Sequence, residues 1–433
     1  MRKHAFRHIT VMVLAALALT LGAAACSSGS SQPTPAPPTA APKAASAAPP
    51  APAATQVAQA GQAEPTRTPK PTKTPEPTEA PLLPPVPAKR PLTMNSPEYG
   101  VQAFLWWRPE LAERDLLKVK ELGFTWVKQG FGWRDIEHEK GKYDWSNADH
   151  VVYTANKYGN IDIVARVDHQ PEWARSGCSL QGPPANMKDF TDFLTAMATR
   201  YKGRIRAYEI WNEPNLAREW CDQRPDPKAY AAMLKAAYAA IKAADPDAMV
   251  ISAGLSPTGT NDQTATPDDV YLDQLYQAMG GKSDGYFDVL GVHAPGYKAA
   301  PEVSPDEAAA NKAAYGGERF FTFRRVEDLR KIMEKYGDTK KQVAVLEMGW
   351  TSDEVNPAYK WHAVSEEQKA DYLKRAYQFA QKNWSPWIGL MTTIYIADPD
   401  WTDKDEQYWW AITDPDGTPR PAFGTLKDMP KAP

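Results

Sequence analysis

Ile205-Arg206-Ala207-Tyr208-Glu209-Ile210-Trp211-Asn212-Glu213-Pro214-Asn215 reads as a short, largely apolar strand that runs out into polar residues. A charge placed after an apolar run is costly unless it has a partner or a task. Taken alone, Glu213 would be an N-cap or an ion-pair partner for the next helix. Its neighbours change that reading. Further strands are predicted over 101–106, 125–130, 161–167, 249–253, 289–292, 343–346 and 390–395, which with 205–211 makes eight. Between them lie stretches with 3.6-residue periodicity, among them 110–122, 187–201, 228–244 and 366–382. Pro246 stops the third of these, and a last short helix is predicted over 422–429. This alternation predicts an α/β fold, a (β/α)8 TIM barrel. A doubly wound open sheet is the competing arrangement, but no Gly-rich fingerprint follows the first strand.

In such a barrel the working residues sit just past the C-terminal ends of the strands. The fourth strand ends in Trp211-Asn212-Glu213-Pro214-Asn215 and the seventh in Glu347-Met348-Gly349-Trp350. Two carboxyl groups at one mouth suit cleavage of a glycosidic bond. One must donate a proton to the leaving oxygen, while the other attacks or activates water. Mutual repulsion and burial are expected to separate their pKa values, so that the pair shares one proton.

The string Tyr208 to Asn215 resembles the acid/base signature of clan A retaining glycoside hydrolases. Val345-Leu346-Glu347-Met348-Gly349-Trp350 is similar to their nucleophile strand. The resemblance implies Glu213 as general acid/base, Glu347 as nucleophile and Asn212 as a ligand of the sugar 2-hydroxyl. It extends over about residues 95–430. Trp133 to Trp145, with Glu137, Gly141 and Tyr143, resembles the loop after strand two in family 39 and family 5 relatives. Pro171-Glu172-Trp173-Ala174 resembles the end of strand three, and His293 with Tyr297 the substrate-flanking pair after strand six. The segment from Trp410 to Gly417, followed by Arg420-Pro421-Ala422, resembles the closing segment. Two departures stand out. Relatives often carry His-x-Tyr, whereas Tyr297 stands four positions after His293. Family 5 often ends strand two in Arg, where this chain has Lys128 and Gln129. The pattern is closer to family 39-like enzymes acting on bacterial exopolysaccharide.

Aromatic side chains stack on the C–H faces of sugar rings, and several tryptophans fall near strand ends. Trp133, Trp350 and Trp409 are predicted to line the cleft; Trp220 is expected to pack beside Cys221. Asp168 and His169, ending strand three, either touch substrate or support residues that do.

Outward from the barrel the composition changes abruptly. Residues 27–91 hold 18 of the 40 prolines and no Phe, Tyr or Trp, while all 15 tryptophans lie between Trp106 and Trp410. Such an arm cannot bury enough apolar surface to fold, and reads as a disordered Pro/Ala/Thr-rich linker. Before it, Arg2, Lys3 and Arg7 precede an apolar run from Ile9 to Leu21 and the small residues before Cys26. That is a secretory signal peptide. The segment resembles a bacterial lipoprotein signal, with Ala23 where the family prefers Leu, and the resemblance implies lipidation at Cys26. The expected domains are therefore 1–26 signal, 27–91 linker and 92–433 catalytic barrel. The expected location is extracytoplasmic, either tethered to the membrane through Cys26 or secreted. In that compartment Cys178 and Cys221 are expected to form a disulfide, the alternative being two free thiols.

Residues 92–433 carry 41 basic and 50 acidic side chains, a net −9 that argues against a nucleic-acid partner. No cluster has metal-ligand spacing, so no metal or cofactor is expected. The expected partner is a polysaccharide or oligosaccharide, met by a monomer whose only membrane contact is the lipid anchor. Two other classes compete with the enzyme: a non-catalytic carbohydrate-binding lipoprotein on the same barrel, and a structural spacer.

Overall fold

The computed structural model describes residues 90–431, apart from 160, 176, 179 and 180. The expected signal peptide, Cys26 and all but the last two residues of the expected linker lie outside the described residues. Eight parallel strands alternate with helices: β1 (Glu98–Gln102), β2 (Trp126–Gly130), β3 (Asp162–Val167), β4 (Ala207–Ile210), β5 (Met249–Ser252), β6 (Leu290–His293), β7 (Val343–Met348) and β8 (Ile388–Thr393). All eight overlap the predicted strands. β1 begins three residues early and β8 two, the stretch Glu98–Val101 pairing with Leu390–Thr393, and β4 is the inner four of the seven residues predicted over 205–211.

The sheet runs β5-β4-β3-β2-β1-β8-β7-β6. It closes through one parallel bridge, Ile251 to Val289, so the fold is a TIM barrel rather than an open sheet. Strand alternation divides the apolar residues into two layers. Trp126, Val164, Ala207, Met249, Ile251, Ala344, Leu346 and Leu390 fill the barrel axis. Their alternating neighbours, such as Val127, Ile163, Tyr208, Val250, Val343 and Val345, pack against the helices.

The helices start where local chemistry requires. Asp226 caps Pro227–Ala244 by accepting from the Lys228 and Ala229 amides, and Ser365 with Gln368 forms a capping box on Glu366–Asn383. At the N-terminal end of the barrel the Met94 backbone exchanges two hydrogen bonds with the Gln342 side chain, and Arg90 pairs with Asp162. The described chain thus enters at the end opposite the strand C-termini. Cys178 and Cys221 form the expected disulfide, with Cα atoms 5.4 Å apart, tying the loop after β3 to the loop after β4.

Candidate active site

A cleft opens at the C-terminal ends of the strands. Glu213, Glu347 and His293 line it together with Glu406, Tyr395 and Trp410. Neither carboxylate gets there by regular strand geometry. Ala207 and Glu209 of β4 point into the barrel, so Trp211 would follow them. Instead Trp211 takes φ 74° and packs outside on Phe190, and Glu213 takes φ 38°. On β7, Ala344 and Leu346 face the axis, so strict alternation would aim Glu347 at the helices. The register slips between Val292 and His293 on one side and between Val345 and Met348 on the other. These irregularities turn Glu347 into the mouth, the familiar use of a bulge beside a site.

His293 joins the two. Its Nδ1 lies 3.1 Å from Glu213 Oε1 and 3.7 Å from Glu347 Oε2, so the nearest oxygens of the two carboxyls are at most about 6.8 Å apart. The ring fits because residue 254 is Gly: a Cβ there would lie 2.1 Å from His293 Cδ2.

Each carboxylate also has its own cation. Lys128 Nζ lies 3.1 Å from Glu347 Oε1 and 3.2 Å from Glu209 Oε2, all three groups being buried. Arg166 Nη1 stands 3.9 Å from the same Glu347 oxygen, and its Nε pairs with Asp168 at 2.8 Å. The Arg218 guanidinium donates to Glu213 Oε2. Burial works to raise both carboxyls. On Glu213 it is outweighed by Arg218 and His293, which bring the group down to about 2. On Glu347 it is outweighed chiefly by His293 and Lys128, which keep that group below its ordinary value. The neighbouring cations thus favour the ionised form of both groups, against the repulsion and burial that would raise one of them. The local cations decide this, and the sequence does not show which ones arrive.

Asn212 Oδ1 accepts from Arg166 Nη1 at 3.4 Å, beside the pair. Tyr297 is buried behind the cleft, its hydroxyl 3.4 Å from the Pro257 carbonyl, among Phe320, Phe321 and Trp361. Two of the predicted cleft tryptophans are corrected. Trp133 is fully buried against Trp173, Phe190 and Phe193, and Trp350 is fully buried with its indole N–H on the Ala299 carbonyl. Trp350 lies so close to Gly296 that a Cβ there would sit 1.9 Å from its ring. Trp409, half-buried, gives its N–H to the Asp403 carbonyl, and its neighbour Trp410 lines the cleft. One residue along the helix Glu406–Trp410 turns a side chain by about 100°, which tertiary docking settles and composition does not. Trp220 packs edge-on against Tyr230. His169 bonds Asp168 and Gln181, a supporting role.

Sequence reasoning did not single out Lys128, Arg166, Arg218 or Glu406 for the site. Lys128 and Arg166 offered a signal: each is a cation in an otherwise apolar strand. Glu406 had none.

Glu406 and Glu219 are two further buried carboxyls near the cleft. Burial, with repulsion from Asp353 and Glu347, pushes Glu406 up to about 8 despite its bond from the Trp410 indole. Burial, with Glu213 and Asp168, does the same to Glu219 against the pull of Arg218. Unfolded, each would release its proton near 4.5. Between 4.5 and 8 the folded chain thus binds more protons than the unfolded one, and stability falls as pH rises. Thermal unfolding is expected at a Tm several degrees lower at pH 8 than at pH 5.5, with Glu219→Gln flattening part of the slope. A flat wild-type profile across that window would refute it.

Among the described residues no helix is long and apolar enough to cross a membrane. No group of three or more His, Cys, Asp and Glu among them could hold a metal ion.

Residues 90–280, somewhat under half of the chain, match the family model Cellulase (glycosyl hydrolase family 5). No curated protein matches the chain. Among solved structures, a family 39 glycoside hydrolase from Bacteroides cellulosilyticus WH2 aligns at TM-score 0.56 and 20% identity, covering 78% of this chain and 63% of that one. The family 39 enzyme from Xanthomonas axonopodis pv. citri aligns at 0.55 and 17%, covering 77% and 65%. A family 5 enzyme from Streptomyces cattleya, in complex with GlcNAc, aligns at 0.54 and 14%, covering 78% and 80%. The chain thus spans about two thirds of the family 39 relatives and more of the family 5 one. Over residues 90–280 the chain matches glycosyl hydrolase family 5, and its barrel is the fold of family 39 and family 5 enzymes.

Proposed function

We propose that the protein is a retaining glycoside hydrolase that cleaves O-glycosidic bonds of a polysaccharide or oligosaccharide, with Glu213 as acid/base and Glu347 as nucleophile. The observation that carries this reading is the His293 nitrogen shared by two buried carboxylates. It limits their nearest oxygens to about 6.8 Å. That bound takes in the retaining spacing of roughly 5–5.5 Å and leaves out most of the inverting range of roughly 6.5–9.5 Å.

In the first step a Glu347 oxygen attacks the anomeric carbon. The C–O bond to the leaving group breaks, and Glu213 delivers a proton to the departing oxygen. The product is a glycosyl ester on Glu347. Glu213, now a carboxylate, takes a proton from water as that water attacks the ester, releasing the sugar with its configuration retained. Lys128 and Arg166 hold Glu347 ionised for attack. Asn212 is suited to the 2-hydroxyl, and Trp410 and Tyr395 supply aromatic surface for the ring. The barrel would be secreted behind a signal peptide and tethered through Cys26 by the Pro-rich linker.

A panel of aryl glycosides and polysaccharides, with the first-formed product anomer read by NMR, tests the chemistry. Retention at the anomeric carbon is expected; inversion would remove Glu347 as nucleophile. A 2-fluoro glycoside should label Glu347. If no sugar in the panel is cleaved and none labels it, the non-catalytic binder is the better reading.

A further inference from the structure

Both oxygens of Glu213 are occupied. His293 Nδ1 stands 3.1 Å from Oε1, and Arg218 donates to Oε2. A general acid must present one oxygen, with its proton, to the bridging oxygen of the substrate. A proton on either oxygen weakens the bond that oxygen accepts, so one of the two partners must loosen as Glu213 becomes an acid.

They are not equally free to do so. The His293 side chain is 2% exposed and wedged against Gly254, within 3.7 Å of Glu347 as well. Moving it would disturb both carboxylates and two strands. Arg218 is 33% exposed and stands on a single helical turn, Ala217–Glu219, after β4. Its other ionic neighbour, Glu219 Oε1, is 3.7 Å away. The turn is anchored from behind by the Cys178–Cys221 disulfide and the Trp211 indole bond to the Glu219 carbonyl. The backbone is fixed and the guanidinium is the part that can swing.

Charge gives the swing a consequence. The titratable and charged groups facing Glu213 are Arg218 and Glu219 from its own loop, His293 from β6 and Glu347 from β7. Tyr359, Tyr297 and Tyr395 face it as phenols, Ser256 bonds it, and Glu406 lies beyond Tyr359. Arg218 stands first among the groups that hold Glu213 below its ordinary value, ahead of His293 and Ser256, so its departure weakens that hold against the burial that raises the group.

We propose that the leaving-group half of the substrate displaces Arg218 from Glu213, which makes Arg218 both the counter-ion that keeps the acid silent in the empty cleft and the residue that donates to hydroxyl oxygens of the leaving sugar. This rests on the assignment of Glu213 as acid/base. As the guanidinium leaves, Glu213 takes a proton from solvent. That proton passes to the bridging oxygen as the C–O bond breaks.

The test is a carboxyl ¹³C NMR titration of the full chain labelled at glutamate, with Glu213→Gln assigning the signal. In Arg218→Met the Glu213 midpoint is expected at least one pH unit above wild type, and in Arg218→Lys between the two. An unchanged midpoint in folded Arg218→Met overturns the proposal. For kinetics, the basic limb of kcat/KM moves to higher pH in Arg218→Met. KM for an oligosaccharide also rises about tenfold more than KM for an aryl glycoside of the same sugar. Equal changes in both would assign Arg218 a merely structural role and overturn the leaving-group contact. A wild type that cleaves nothing in the panel defeats the proposed function instead, and the titration still decides the Arg218–Glu213 contact.

Discussion

Glu347→Ala is expected to lower turnover by roughly 10³-fold or more on every glycoside the protein cleaves, because it removes the atom that forms the covalent ester. Loss of activity alone would not separate a nucleophile from a folding residue. Added azide does. In Glu347→Ala the vacated space lies beneath the anomeric carbon, so azide attacks from that face and yields a glycosyl azide of inverted configuration. In Glu213→Ala the ester still forms, and azide replaces water in its breakdown to give the retained azide. Glu213→Ala should also slow glycosides with poor leaving groups far more than dinitrophenyl glycosides, which depart without a proton. Azide products of the same configuration from both variants would remove one assignment. Glu347 is buried between Lys128 and His293, so circular dichroism and Tm of each variant must accompany the kinetics.

Lys128→Met is the second large effect, and it is felt first in stability. Lys128 Nζ is the cation between Glu347 and Glu209 on the barrel axis, and its side chain is 1% exposed. Among the described residues Glu209 makes no hydrogen bond besides this ion pair. Breaking a buried pair by removing one partner typically costs about 3–5 kcal/mol, because the remaining charge stays desolvated. Here two carboxylates are left facing each other, with Arg166 as the nearest remaining cation on that side. Denaturant unfolding should show a loss of that size in Lys128→Met and a smaller one in Lys128→Arg. Lys128 also helps hold Glu347 ionised. Glu347 must be a carboxylate to attack, so activity falls as pH drops through its pKa. Removing Lys128 raises that pKa, and the acidic limb of the rate profile should move to higher pH. A variant as stable as wild type, with an unmoved acidic limb, would show that the ion pair contributes little.

The same residue shows where sequence reasoning stopped. A Lys in the strand Trp126-Val127-Lys128-Gln129-Gly130 was visible as a departure from the family 5 pattern. Its use was not, since nothing in the sequence says that β2, β4 and β7 bring Lys128, Glu209 and Glu347 to one level of the barrel. Arg218 is similar. It follows Glu213 by five residues, which looks like ordinary loop charge until the turn folds back onto the carboxylate. The tryptophans show the opposite limit. Trp133 and Trp350 stand near strand ends, as cleft residues would, yet both serve the layer between barrel and helices. A large flat side chain fits either place, and only the packing distinguishes them.

The sequence by itself determined the barrel, because the alternation of apolar strands and amphipathic helices is local and repeats eight times. It also singled out Glu213 and Glu347 as the expected pair, because each stands at the end of an apolar run in a string that resembles a clan A signature. Tertiary structure alone decided how they are aimed and charged. The positive φ at Trp211 and Glu213 and the register slips on β7 turn them into one mouth, and Arg218, Lys128 and His293 arrive there from other elements. Orientation and ionisation depend on distances of a few ångströms between residues far apart in the chain, and no local pattern encodes those.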